Sequence, residues 1–223
     1  MQPILLSTAY FPPISWMAAA VQSERITIEI HETYPKQTYR NRCNIATSSG
    51  TLNLTVPVNR VNGNHTKTCD IRTDNSGNWE LLHWRSIMTA YNKSPYFLHY
   101  RDYIEPILLK KHNLLSDLNL ELLNNLFKAL QISDKEIFFT SKYEFKPDFQ
   151  DLRNSFHPKQ EPYRGIKVKI PRYIQAFEEN HGFIPDLSIL DLIFNLGPDA
   201  IQYLANVKFS FQENINATQD IQS

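Results

Sequence analysis

The residues most able to do chemistry crowd between His31 and Cys43. There an imidazole, three cations (Lys36, Arg40 and Arg42), two tyrosines (Tyr34 and Tyr39) and carboxamides including Asn41 occur without the periodicity of a core element. Arg offers a planar fork and Lys a point charge, so these cations can neutralise a phosphate or carboxylate. The tyrosines can supply faces for a base or a sugar, and Asn41 can fix orientation. The same stretch also reads as a solvated loop entering a strand, the ordinary fate of a polar connection.

A second constellation runs from His83 to Phe97. On a helix, His83 falls beside the stripe made by Trp84, Met88 and Tyr91, at the edge of the buried face. An imidazole so placed titrates near neutrality and can take a proton from a hydroxyl or an amine; equally, it can be a core-flanking histidine bonded to a backbone carbonyl. Tyr91, Tyr96 and Phe97 read as core, with Ser94 close by. A third constellation, Gly182 to Pro198, is helix-start chemistry: Asp186 is the expected N-cap and Ser188 with Asp191 resembles a capping box. A free helix N-terminus there could still hold an anion.

Several chemistries are missing, and with only 6 glycines the absence is informative. No Gly-x-Gly-x-x-Gly fingerprint, Gly-Lys-Ser/Thr phosphate loop or Gly-x-Ser-x-Gly elbow occurs, and classical dinucleotide binding and P-loop hydrolysis are disfavoured. No helix carries His-x-x-x-His, so neither a metal nor a cofactor is expected.

The elements that must position these groups follow from pattern. Residues 3–9 suit a buried strand, 13–22 a helix opened by proline, and 25–30 a strand delivering His31 and Glu32 at its end. Strands are also expected at 43–48, 51–58 and 69–73. From Trp79 the spacing turns helical up to Ser94 and Pro95. A helix over 96–111 holds Pro106, and 117–130 is the clearest amphipathic helix. Residues 136–141 read as a late strand, and helices are expected at 172–180, 187–194 and 198–205. The fold class is α/β, with α+β as the alternative: a sheet-rich N-terminal half, then helical middle and C-terminal parts. Residues 1–141 form the expected α/β core with the candidate site. Residues 142–170 form a surface loop with few packed residues, 171–212 form helices packing on the same core, and 213–223 are a frayed tail.

At 223 residues the chain can bury a core without disulfide or metal support. Its 23 basic and 23 acidic residues cancel, which argues against a nucleic-acid duplex as partner. Cys43 and Cys69 read as buried thiols rather than a disulfide framework. The first ten residues have no basic leader, and Pro12 and Pro13 follow closely, so neither a signal peptide nor a membrane span is expected and the location is cytoplasmic.

With these residues in view, the chain resembles the WbqC-like protein family of bacteria. The resemblance is carried by the order of the segments Ala9–Pro13, Tyr34–Lys36 with Asn41 and Arg42, Leu54–Val58, His83 with Trp84, Tyr91–Phe97, and Leu187–Leu192. The extended form around His31, Glu32 and Leu187–Leu192 is similar to the branch found in Bacteroidetes. The resemblance implies a transferase that places an amino-acid or acyl group on an amino sugar in surface-polysaccharide, O-antigen-type biosynthesis. It carries over Lys36, Asn41, Arg42 and His83, with Tyr10, Tyr91 and Ser94 nearby. Where many members have an Asp-rich stretch this chain has Ile30–Glu32, which leaves Glu32 as the only candidate acid.

The expected activity is therefore transfer onto a phosphorylated or nucleotide-linked amino sugar. Lys36 and Arg42 would clamp phosphate, Asn41, Tyr10, Tyr91 and Ser94 would contact substrate, His83 would be the general base and Glu32 the acid. The alternative is a non-catalytic binding or scaffold protein using the same polar cluster as an interface. A nucleotidyl-transfer reading of the turn at Tyr10–Pro13 lacks a His-x-Gly-His signature. The oligomeric state is open.

Overall fold

The computed structural model describes residues 1–133, 135–159 and 164–211. Its organising element is a parallel four-stranded sheet. β1 (Ile4–Ser7) leads through α1 (Ile14–Gln22) into β2 (Ile26–Glu29), which pairs beside it in parallel register from Ile4 opposite Ile26 to Ser7 opposite Glu29. Strand and helix form here because a short apolar run meets Pro12 and Pro13. Proline fixes the backbone for a helix start and lacks the N–H that a longer strand would need. The alanines of α1 are buried and let two C-terminal helices approach.

Two antiparallel pairs follow. β3 (Arg42–Thr47) turns at Gly50, in the left-handed region with φ 105°, into β4 (Gly50–Thr55), and β5 (Val58–Arg60) pairs with β6 (Ile71–Thr73). The strand expected over 51–58 is thus two strands. Pro57 cannot donate to a ladder, and the chain changes partner there. The strand expected from 69 opens instead with a 3-10 turn over Thr68–Asp70.

α2 (Trp79–Tyr91) is as the spacing predicts. The helix expected over 96–111 is instead α3 (Phe97–Tyr100), a 3-10 turn over Arg101–Tyr103, and α4 (Glu105–Leu108). Pro106 is tolerated only in the first turn of a helix, so a new helix starts at Glu105. α5 (Leu115–Ala129) buries Leu118, Leu122, Leu123, Leu126 and Phe127, the stripe read from the sequence. β7 (Ile137–Phe139) then joins β2 in parallel.

The segment 142–170 differs most from expectation. It contributes β8 (Gln150–Asp151), parallel to β1, and β9 (Ile166–Lys169), and it buries Leu152, Arg153, Ser155, Phe156 and Ile166. Its charged composition concealed an ion pair that the core accepts. Beyond it, only α6 (Glu178–His181) is helical of the expected 172–180. The preceding residues stay extended because Tyr173 donates to Asp191 and Gln175 exchanges two hydrogen bonds with the Ile184 backbone. α7 (Ile189–Leu196) and α8 (Asp199–Asn206) match expectation to within two residues, and β10 (Lys208–Phe211) pairs antiparallel with β9. The tail 213–223 lies outside the described residues.

The sheet order β7-β2-β1-β8 places β2 and β8 on opposite sides of β1. The chain reverses direction across the sheet between β1 and β8, and in parallel sheets the crevice at the strands' C-terminal ends at such a reversal is where ligands bind. The fold is mixed α/β. No helix among the described residues is long and apolar enough to cross a membrane.

Candidate functional site

The loops leaving the C-terminal ends of β1, β2 and β8 all gather at that edge. Tyr10, just past β1, donates its backbone N–H to the Tyr39 carbonyl at 2.8 Å, joining the first loop to the cationic turn. Its hydroxyl lies 2.9 Å from Nδ1 of His83 on α2. The other side of the His83 ring is bonded to the Thr55 backbone, so both nitrogens have partners within the protein. Burial is the larger influence and holds this imidazole down to about 4, uncharged at neutral pH. Of the two readings open from sequence, the arrangement is that of a core-flanking histidine. Glu80, one helical turn before His83, is buried with Oε1 unpartnered among the described residues, and its charge helps raise the Tyr10 phenol after burial and Cys43. Nothing in the local pattern of α2 singled Glu80 out.

The turn itself divides into partnered and unpartnered charges. Glu32 accepts from Nε of buried Arg40 at 2.7 Å, and Nη2 of Arg40 lies 2.7 Å from the same oxygen, off hydrogen-bond geometry. Burial lifts the Glu32 carboxyl, and Arg40 opposes the shift. Asn41 donates to the Val56 carbonyl at 2.8 Å while Val56 N–H donates to the Asn41 carbonyl, so the carboxamide secures the strand edge. Arg42 is half-buried, and its Nε has no partner among the described residues. Lys36 is exposed at the tip, beside Gln37 in the left-handed region at φ 60°. Buried hydroxyls of Tyr34 and Thr38 are also unpartnered among the described residues. Tyr34 is pushed up to about 12 by burial, against the pull of Arg40, Arg60 and Arg42 around it.

The remaining expected contacts lie elsewhere in the core. Tyr91 donates to Asp191 at 2.9 Å and accepts from Ala46 N–H, which ties α2 to α7 and β3. Ser94 is buried at the end of α2 with an unpartnered hydroxyl among the described residues. Asp186 is not the N-cap of α7. Ser188 is, accepting from Leu190 N–H, and the Asp191 carboxylate turns inward to Tyr91 and Tyr173. Of the thiols, Cys43 is buried as expected, whereas Cys69 is half-buried.

Between Tyr39, Asn44 and Thr51 on one side, His157 and Pro158 on a second, and Ile184–Leu187 on a third lies a hollow of about 100 Å³. Its walls are held by long-range bonds. Ser188 N–H donates to the Asn44 carbonyl, Ser188 Oγ to the Phe11 carbonyl, and Lys159 Nζ to Gln37 Oε1 at 2.8 Å. Asp186, in the left-handed region at φ 53°, accepts from Ser15 N–H and Ser15 Oγ, both at 2.7 Å, and so caps α1 from across the chain. His157 lies in the segment expected as a loop. Burial lowers its pKa first, followed by the nearby charges of Arg40, Arg164, Arg42 and Lys159. Sequence reasoning passed over His157, Lys159 and Arg164 because neighbouring prolines marked the segment as a loop. Only the return of the chain through β8 brings them beside Arg42.

The structure thus gathers Tyr10, Asn41 and His83 around β4 and brings Arg42 close to His157, while Lys36 stays exposed at the tip of the turn. It leaves Tyr91 and Ser94 in the helical core. Among the described residues no three His, Cys, Asp or Glu side chains come together as metal ligands.

A parallel sheet with a polar hollow near its topological reversal, and cations close to the His157 that lines it, defines the class. The chain belongs to the WbqC-like protein family, which matches residues 8–154. It is 30% identical to the uncharacterized protein Rv1507c of Mycobacterium tuberculosis (strain ATCC 25618 / H37Rv) over 194 residues, covering 77% of this chain and 83% of that relative. No solved structure matches it. Every site residue expected from sequence falls inside the family match, whereas His157 and Asp186 lie beyond it.

Proposed function

We propose that the protein is a transferase that places an amino-acid or acyl group on a phosphorylated or nucleotide-linked amino sugar for surface polysaccharide. The observation that carries the reading is the concentration of cations near the sheet edge with no carboxylate partner among the described residues: Arg42 with its unpartnered Nε, exposed Lys36, and Lys159 and Arg164, whose charges with that of Arg42 act on His157. Unpartnered buried N–H and O–H groups are expensive to maintain without a ligand, and an oxyanion satisfies both charge and hydrogen bonding.

Lys36 and Arg42 clamp the anionic arm, and Asn41 keeps the strand edge that presents Arg42 in place. His83 and Glu32 act as positioning groups, His83 by holding Tyr10 and Glu32 by holding Arg40. The substrate amine attacks the activated acyl carbon, the bond to the leaving group breaks with its electron pair, and the nitrogen loses a proton. The test is calorimetry of the full chain with a UDP-linked amino sugar. Arg42→Ala is expected to weaken binding by about ten- to a hundredfold, the worth of a charge-assisted hydrogen bond. Unchanged affinity in both Lys36→Ala and Arg42→Ala overturns the reading.

A second reading, a binding or scaffold protein, is favoured by one observation: Lys36, Lys159 and Arg164 are solvent-exposed and so could meet the carboxylates of a protein partner. Saturable binding of the nucleotide sugar decides against it.

A further inference from the structure

We propose that the hollow beside β8 is a subsite for one compact oxyanion, a phosphoryl or carboxylate group, and that His157 meets it as an Nε2–H donor. This rests on the transferase reading and names the ligand chemistry at the inner end of its site.

Size comes first. At about 100 Å³ the hollow has room for a phosphate or a small carboxylate. The charges acting on the His157 ring are positive. Arg42 and Arg40, the latter paired with Glu32, act from β3 and the turn, and Lys159 and Arg164 from the segment that carries His157. Asp186 is the carboxylate among the lining residues, and it already accepts two hydrogen bonds from Ser15 at the start of α1. That carboxylate occupies the helix end an anion would otherwise take, so a ligand anion is directed to the cationic side.

The ring of His157 supplies the donor. Its Nδ1 accepts from Lys159 N–H at 3.2 Å, which needs the lone pair on that nitrogen and leaves the proton of the neutral ring on Nε2. Nε2 has no partner among the described residues. Burial and four neighbouring cations oppose a second proton, so the ring faces the hollow as an uncharged donor. A neutral imidazole donor polarises a carbonyl or phosphoryl oxygen without giving up its proton, a role known from other acid-base sites.

The experiment uses the full chain labelled with 15N-histidine. Long-range 1H–15N spectra are recorded near pH 7.5 while inorganic phosphate and, separately, acetate are added, with His157→Ala supplying the assignment. The Nε2–H tautomer is expected in the free protein, together with a saturable shift of the His157 Nε2 signal. The ion that saturates distinguishes a phosphoryl from a carboxylate ligand. His157→Gln, which keeps an N–H donor, should bind that ion within about threefold of the native chain, and His157→Ala about tenfold more weakly. An Nδ1–H tautomer, or no saturable shift with either ion, overturns the proposal. If the nucleotide sugar binds in an Arg42-dependent way while His157 stays silent, only this subsite falls. If either ion saturates at His157 while Lys36→Ala and Arg42→Ala leave nucleotide-sugar affinity unchanged, the transferase reading falls and the subsite stands.

Discussion

Two polar regions meet at the C-terminal edge of the sheet, and they differ in whether their charges have partners. Around Glu29, at the end of β2, every oxygen is used. Oε1 accepts from His31 N–H and Thr140 Oγ1, and Oε2 accepts from Glu144 N–H and Arg153, whose guanidinium also holds Asp151 and lies over the Tyr143 ring. Around Arg42 and His157 the cations act on a ring that lines a hollow, and buried polar atoms lack partners among the described residues. A charged cluster closed on itself is scaffold. One that stays open is where a ligand completes the structure. Charge density alone does not separate the two; partner count does.

The largest effect should come from breaking the closed cluster. Arg153→Ala leaves Glu29, 0% exposed, without its counter-charge and should cost about 3–5 kcal/mol in urea unfolding. Arg153→Met combined with Glu29→Gln should recover much of that. A loss below about 1 kcal/mol would show that the Glu29 region is not scaffold.

His83 provides a pH test of the same distinction. Its folded value of about 4 lies below the ordinary 6.5, so the unfolded chain takes a proton near pH 6.5 that the folded chain refuses until about pH 4. Stability therefore falls as pH drops through that window, by about 3 kcal/mol at ~1.36 kcal/mol per unit. In His83→Gln this part of the slope should vanish in denaturation curves recorded across the window. A slope unchanged from the native chain would mean that His83 is protonated when folded, and so open to solvent or substrate.

Arg42→Ala should do the reverse of Arg153→Ala. Thermal stability should stay within about 0.5 kcal/mol, as for a side chain whose charge has no partner to strand among the described residues, while the nucleotide-sugar affinity falls as described above. Smallest is Tyr91→Phe, which strips a donor from buried Asp191 and an acceptor from Ala46 N–H. About 1–2 kcal/mol of stability should be lost with ligand affinity untouched. Weakened binding in Tyr91→Phe would instead connect the helical core to the site.

Part of this site was legible without coordinates. The turn from Lys36 to Arg42 stood out by residue type, and Asn41, Tyr10 and His83 do lie together near β4. The pattern could not distinguish Arg40 from Arg42, which lie two residues apart. One is neutralised by Glu32 and the other is not, and that depends on how the turn folds back. His157 was hidden because proline and charge around it marked a loop, and the two-residue strand β8 is too short to show any periodicity.

Local order was decided by the chain itself: proline opening α1, the leucine stripe of α5, and Gly50 turning β3 into β4 all follow from backbone and side-chain preferences over a few residues. Which charges found partners was decided only by tertiary structure. The bonds that settle it join Tyr10 to His83, Glu29 to Arg153 and Ser15 to Asp186, across 73, 124 and 171 positions. Pairing at such separations depends on where whole strands and helices come to rest, and no local preference encodes that.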